Sequence, residues 1–333
     1  MKEETFFSKA FVPAGIVNSG YLCYLNSLLQ VFGSSTHWQR FFERCPNTNS
    51  TVVEIRNIVM KLSESFNFGT KISTKSMRKK LESSGLSVDV FRQQDLHEFY
   101  GFMLEVISNS LNQYSTYNYC SFSTRRIFPT DLIYEEIVQC PSCRSSSAFI
   151  NQTSSIIVNS SFGSLNDALQ DFFGPSFVNS QCSHCKRTLD RHITRKISIV
   201  PKSIFIFINR GDSMTGLPSM VPFEYPYSLN IQQFSQSDEI RPPPDNGLLK
   251  NSYHGLSESI IYDKPGFNLT AVVNFLGSDN SGHYYTYRIH REKGGLCSKQ
   301  WVCANDSQIT PIPIQTVMSA RKQCLLLHYE LSV

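Results

Sequence analysis

Cys23 stands where a loop of glycine and small polar residues, Gly15-Ile16-Val17-Asn18-Ser19-Gly20-Tyr21-Leu22, runs into Cys23-Tyr24-Leu25-Asn26-Ser27-Leu28-Leu29-Gln30. Leu25, Leu28, Leu29 and Phe32 recur at helical spacing, which predicts an amphipathic helix with Cys23 in its first turn. Free backbone N–H groups and the helix dipole at that end favour thiolate, the nucleophilic form of cysteine. Asn18, five residues earlier, can aim its side-chain amide at the oxyanion formed when the sulfur attacks a carbonyl. A cysteine nucleophile needs a base, and His283 is the candidate. The small polar stretch Gly277-Ser278-Asp279-Asn280-Ser281-Gly282 delivers it to the start of an aromatic strand, with Gly282 permitting close backbone approach. Read singly, Cys23 also fits a buried packing residue and His283 a structural histidine.

Four more cysteines form two pairs, Cys140-Pro-Ser-Cys143 and Cys182-Ser-His-Cys185. Two intervening residues let both sulfurs of a pair reach one ion, and two such knuckles complete a closed tetrahedral site with structural rather than catalytic character. Zinc is the expected ion, one per chain. The 38 residues between the knuckles must then form a substructure with strands or a helix of their own. His184 inside the second knuckle is an alternative ligand. Cys45, Cys120, Cys297, Cys303 and Cys324 have no partner spacing and read as core or incidental.

These residues need elements to hold them. Up to about residue 130 the chain reads as helical, with apolar three- and four-residue steps over Val52–Leu62 and Phe91–Leu111. From Leu132 the pattern changes to short β-rich runs: 133–138, 149–158, 193–199, 204–208, 269–275, 284–289 and 324–329. One helix interrupts them at Leu165–Phe173, with Ser164 placed to cap it. Residues 232–266, with Pro242-Pro243-Pro244-Asp245-Asn246-Gly247, read as an exposed flexible insertion.

The Cys23 segment resembles the Cys box of the ubiquitin-specific proteases, Gly-Leu-x-Asn-x-Gly-Asn-Thr-Cys-Tyr-Met-Asn-Ser-x-Leu-Gln, with Tyr21-Leu22 in place of Asn-Thr. Ser281-Gly282-His283-Tyr284 resembles that family's His box, and Trp301-Val302-Cys303-Ala304-Asn305-Asp306 its Trp-x-x-x-Asp/Asn-Asp stretch. Arg92-Gln93-Gln94-Asp95-Leu96-His97-Glu98-Phe99 resembles its Gln-Gln-Asp box, and Cys324–Glu330 its closing strand. The resemblance spans about Pro13 to Glu330. It implies an α+β, papain-like cysteine protease fold with a helical thumb (12–130), zinc-bearing β fingers (131–200) and a β-rich palm (201–333), a single catalytic domain over 12–333. It also implies a Cys23–His283–Asn305 triad, with Asn18 at the oxyanion and Asp306 as a further catalytic residue. Asp95 and Glu98, with Gln94, Gly282 and Tyr284, would bind the arginine-bearing tail of ubiquitin. Locally, Asn305-Asp306 fits a turn equally well, and Asp95 and Glu98 fit a solvated helix face. Adjacent residues of an extended segment point to opposite sides, so only one of Asn305 and Asp306 is expected to reach the imidazole.

Composition narrows the remaining classes. A 333-residue chain that is 41% hydrophobic can bury a sizeable core. Its net charge of +4, without basic runs interleaved by aromatics, argues against nucleic acid as partner. No apolar run approaches the roughly 18–20 residues of a spanning helix, and the N-terminus lacks signal-peptide order. An intracellular protein of cytoplasm or nucleus is expected, so Asn-x-Ser/Thr matches such as Asn151, Asn159 and Asn268 read as chance. The reading is a deubiquitinating hydrolase recruited by a partner protein or by the 232–266 insertion. The alternatives are a catalytically silent ubiquitin-binding module and a protease for a ubiquitin-like modifier.

Overall fold

The computed structural model describes residues 12–45, 49–85, 88, 92–112, 128–211, 219–235, 266–278, 281–291 and 299–332. The chain forms two compact units. One holds the described residues of 12–112 and 270–326, and the other those of 128–269 and 327–332.

The first unit opens with β1 (Gly15–Ile16), α1 (Cys23–Ser34), α2 (Thr36–Arg44), α3 (Ser50–Ser63), β2 (Lys71–Ile72), α4 (Lys75–Ser83) and α5 (Leu96–Asn112). Its helices start where side-chain acceptors meet free N–H groups. Ser35 caps α2 through Trp38, and Asn49 caps α3 through Thr51 and Val52. The amphipathic helix expected at Cys23 is a correction: every residue of α1 is buried, polar ones included. Leu25, Leu28, Leu29 and Phe32 pack in the core, where Phe32 meets Trp38 at 4.5 Å between ring centroids. The polar side is buried too, because its groups find protein partners. Gln30 donates to the Ala14 carbonyl, and its Oε1 accepts from the guanidinium of Arg288 at 2.7 Å. Arg288 also donates to the Gly33 and Leu62 carbonyls, joining α1 to α3. Its burial, and secondarily Arg291, lowers it to about 9.

In the second unit come β3 (Leu132–Gln139), β4 (Ser146–Thr153), β5 (Ile156–Asn159), α6 (Leu165–Phe173), β6 (Ser176–Gln181), β7 (Thr188–Ile199), β8 (Ser203–Asn209) and β9 (Ser228–Leu229). A four-stranded antiparallel sheet runs β4-β3-β7-β6, and β5 pairs with β8 in parallel. The run expected as one strand over 149–158 is two strands in different sheets. The break follows from turn chemistry at Thr153–Ser155, where Thr153 Oγ1 bonds Ser155 and Ser154 donates to Asp131. The helix at 165–173 has the expected bounds and cap, with Ser164 accepting from the Asp167 N–H. Of the expected insertion at 232–266, residues 236–265 lie outside the described residues.

The chain ends with β10 (Phe267–Ser278), β11 (Ser281–Arg291), β12 (Lys299–Asn305), β13 (Gln308–Pro311), α7 (Ile314–Ser319) and β14 (Cys324–Leu331). In the first unit β10, β11, β12 and β13 follow one another as an antiparallel ladder. Thr286 and Arg288 of β11 bond the backbone of α1, so the helix lies directly on the sheet that carries His283. The fold is α+β.

Candidate active site

Cys23 is the first residue of α1, following Leu22, which is buried but offers no side-chain cap. The loop before it is held by Asn18, whose Oδ1 accepts from the Gly20 and Leu22 N–H groups at 3.1 and 3.3 Å. Gly15 is required by contact: a Cβ there would lie 2.4 Å from the Ser307 carbonyl oxygen. That close approach, with the Ile16 N–H donating to the Asp306 carbonyl at 2.8 Å, ties the Cys23 loop to the end of β12.

His283 lies on β11, half-buried, and its Nε2 is 2.5 Å from Asn305 Oδ1. An amide oxygen can only accept, so Nε2 carries the hydrogen and Nδ1 is the free base. Only Asn305 hydrogen-bonds the imidazole, but Asp306 does not point to the opposite side as strand alternation predicts. Asp306 has φ 51°, so the strand ends in a left-handed turn, and its Oδ2 comes within 3.9 Å of His283 Nε2. The Asp306 carboxylate accepts from Asn18 Nδ2 at 2.9 Å and from Asn26 Nδ2 at 2.7 Å. Asn26 is one helical turn beyond Cys23 and went unnoticed in the sequence, where it reads as an ordinary polar helix position.

Cys23 is 3% exposed. Burial pushes its thiol above the ordinary value, the backbone N–H of Tyr284 pulls it down, and the Asp306 carboxylate raises it further. Desolvation therefore works against the shift toward thiolate expected from the helix terminus. A base is needed to ionise the sulfur. The Tyr284 contact places the sulfur against the residue that follows His283.

Gln93 is the second residue missed. Its Nε2 donates to the Gly282 carbonyl at 3.0 Å, its Oε1 accepts from the Gly282 N–H at 3.2 Å, and Nε2 also lies 3.8 Å from Cys23 Sγ. The expected helix from residue 91 begins only at Leu96, because Asp95 Oδ1 caps the Glu98 N–H at 2.8 Å. The capping leaves Gln93 and Gln94 in extended chain, with Gln93 free to reach the His283 loop. A Cβ on Gly282 would overlap the Phe275 ring at 2.0 Å, so the close approach expected there is made by an aromatic face. Tyr284 is buried; burial pushes the phenol up, with the nearby Asp95 charge adding and the Leu96 N–H pulling the other way. Asp95 and Glu98 are exposed at the start of α5.

In the second unit, Cys140, Cys143, Cys182 and Cys185 bring their sulfurs within 4.8 Å of one another. Each pair lies in a turn of the same design. The Arg144 N–H bonds the Cys140 carbonyl and the Lys186 N–H the Cys182 carbonyl, both at 2.9 Å, with φ 59° at Arg144 and 58° at Lys186. The turns join β3 to β4 and β6 to β7, so the intervening chain is the substructure expected from the spacing. The Cys140–Cys185 and Cys143–Cys182 sulfurs are each 3.8 Å apart. Metal–sulfur bonds of about 2.3 Å in a tetrahedron set sulfurs about 3.8 Å apart, so the donor set fits a metal ion of that kind. Ser145 and the backbone N–H groups of Cys185 and His184 lower Cys182 to about 5, while at Cys185 the pull of the Arg187 N–H loses to burial and the neighbouring sulfurs, which hold it up to about 11, so a cation among them is what would let all four ionise. His184 is outside the cluster. No helix among the described residues is long and apolar enough to cross a membrane.

The family model for ubiquitin carboxyl-terminal hydrolase matches residues 14–329. The chain is 22% identical to ubiquitin carboxyl-terminal hydrolase 8 of Saccharomyces cerevisiae, with 95% of this chain and 70% of that protein covered. It is 24% identical to ubiquitin carboxyl-terminal hydrolase 25 of Arabidopsis thaliana, covering 94% of this chain and 47% of the relative. It is 23% identical to Ubl carboxyl-terminal hydrolase 18 of Homo sapiens, over 89% of this chain and 76% of that protein. Among solved structures, the SAGA Ubp8/Sgf11/Sus1/Sgf73 DUB module bound to ubiquitin aldehyde contains a chain of the same fold, with TM-score 0.73 at 20% identity, covering 96% of this chain and 70% of that one. The match over nearly the whole chain decides the assignment: this protein belongs to the ubiquitin carboxyl-terminal hydrolase family, a family of deubiquitinating hydrolases.

Proposed function

We propose that this chain cleaves the isopeptide or peptide bond after the C-terminal glycine of ubiquitin through Cys23, His283 and Asn305. The observation that carries the reading is the 2.5 Å contact of His283 Nε2 with Asn305 Oδ1 beside a helix-terminal cysteine. Asn305 holds the imidazole so that Nδ1 takes the Cys23 proton as the sulfur attacks the carbonyl. The amine leaves with that proton, and water releases the thioester in the reverse sense. The Cys23 backbone N–H and the second N–H of Asn18 Nδ2 face the developing oxyanion, while Asp306 holds Asn18 by its first. Asp95 and Glu98, with Gln94, Gly282 and Tyr284, form the contact for the substrate tail. In this reading 12–130 is the thumb, 131–200 the fingers and 201–333 the palm.

Zinc is the ion we assign to the four-cysteine cluster. It would tie the β3–β4 and β6–β7 turns together and take no part in the chemistry. One zinc per chain by elemental analysis, lost with thermal stability on chelation, is the expected result; full stability without metal would overturn it.

A ubiquitin-like modifier is the second reading, favoured by the likeness to Ubl carboxyl-terminal hydrolase 18. The likeness to a chain solved within a multi-subunit module favours recruitment through partner proteins. Ubiquitin carrying a C-terminal electrophile, tried beside equivalents built on ubiquitin-like modifiers, separates the readings. A covalent adduct with the ubiquitin probe, absent in Cys23→Ala, is expected. An adduct only with another modifier selects the second reading, and binding without any adduct would leave a silent module.

A further inference from the structure

The two flanks of the Cys23–His283–Asn305 site carry opposite charge. On one flank Gln93 bonds Gly282, and Asp95 and Glu98 stand exposed at the start of α5. The other flank is an open pocket of about 330 Å³ lined by Val17, Asn18, Lys71, Asn305, Asp306 and Gln308. Lys71 comes from β2, which pairs with β1 just ahead of Asn18. Arg78 of α4 donates to Ser19 Oγ at 3.1 Å, so α4 abuts the residue next to Asn18. Met77 and Leu81 bury one side of α4, and Lys75, Arg78 and Lys79 fall together on another by three- and four-residue spacing.

Among the described residues these cations lack carboxylate partners, and Arg78 Nε is buried without an acceptor. The nearby acids leave the surface net positive: Lys71, Lys75, Arg78, Lys79 and Lys80 outnumber Glu54, Glu82 and Asp306.

We propose that the pocket and the basic side of α4 form the leaving-group side of the site, and that they fit an acidic polypeptide segment flanking the lysine whose amine is released. This rests on the hydrolase reading. With the arginine-bearing tail drawn to Asp95 and Glu98, the released chain departs past Asn18 and Lys71. Opposite charges on the two flanks then orient the substrate across the sulfur, since complementary charge steers encounter and fixes register. The occupant is polypeptide because the released amine belongs to a lysine side chain, and duplex DNA serves as the competing ligand in the test.

The test compares ubiquitin joined by an isopeptide bond to the lysine of three short peptides, with acidic, neutral or basic flanks, beside ubiquitin-aminocoumarin. The expected kcat/KM preference is about fivefold or more for acidic over neutral flanks at low salt, shrinking as salt screens it. Lys75→Glu with Lys79→Glu, both exposed, should reverse the order of acidic and basic peptides, and Lys71→Glu alone should weaken it. Equal rates on all three peptides with normal ubiquitin-aminocoumarin turnover would overturn this proposal alone. An unaltered preference in the Lys75→Glu/Lys79→Glu variant, or duplex DNA competing where acidic peptide does not, would do the same. Absent turnover of every ubiquitin substrate by the unmodified chain would instead overturn the hydrolase reading.

Discussion

The side-chain amide of Gln93 and the peptide of Gly282 bond to each other in both directions, Nε2 to carbonyl at 3.0 Å and N–H to Oε1 at 3.2 Å. The pair fixes the backbone one residue before His283, while the same Nε2 sits 3.8 Å from Cys23 Sγ. Gln93 thus sets where the base stands relative to the nucleophile. Two half-buried bonds of about 1 kcal/mol each predict a loss of about tenfold or more in kcat for Gln93→Ala. Ubiquitin-aminocoumarin kinetics check it. A change confined to KM would make Gln93 a tail contact instead of a positioning residue.

Asn305 and Asp306 both lie near the His283 ring but present different groups to it. Asn305→Ala should lower turnover by more than about tenfold, since the imidazole loses its orienting acceptor. Asn305→Asp keeps an acceptor and adds a second carboxylate beside Asp306, which stabilises imidazolium. Its acid limb of kcat/KM should therefore move to higher pH, because the neutral base appears later. Asp306→Ala leaves Asn18 and Asn26 without their acceptor and should slow the chemical step while leaving that limb nearer its original place. Should Asp306→Ala cost more than Asn305→Ala while Asn305→Ala keeps the profile, the orienting role belongs to Asp306.

Burial and the Asp306 charge push the Cys23 thiol up, against the pull of the Tyr284 N–H. Its alkylation by iodoacetamide, taken as the difference from Cys23→Ala, should still be rising with pH at about 9, the upper part of the ordinary thiol range. A rate already level near neutrality would mean that a thiolate–imidazolium pair forms before substrate arrives.

His290 is buried, bonds Ser65 Oγ through Nε2 at 2.9 Å and has no partner at Nδ1 among the described residues. Burial first, then Arg288 and Arg291, lowers it to about 4. A base held below its unfolded value of 6.5 costs nothing at neutral pH, where both states are uncharged. Below 6.5 the unfolded chain takes the proton and the folded one does not, so stability falls toward pH 4, by on the order of 2 kcal/mol from this group. Urea unfolding between pH 7 and 4.5 should show the loss, and His290→Asn should flatten it. Equal slopes would assign the acid sensitivity to other groups.

What the sequence determines by itself is whatever short-range chemistry writes into neighbouring residues. The two Cys-x-x-Cys knuckles are legible because metal geometry demands that spacing, and α6 because Ser164 and an apolar repeat mark its bounds. Cys23 and His283 are legible because each sits in a glycine-bearing loop at the start of a regular element. Gln93 and Asn26 are not, since nothing local distinguishes them. They matter only through partners 189 and 280 residues away in the chain. The upward shift of the Cys23 thiol is likewise a tertiary outcome: the helix terminus that favours thiolate is local, but the burial that opposes it comes from the packing around it. Asp306 turns toward the imidazole because the chain reverses there into β13, a backbone choice that alternation along a strand cannot foresee. Even the burial of α1 on every side required Arg288, which satisfies polar groups that the helical pattern alone would assign to water.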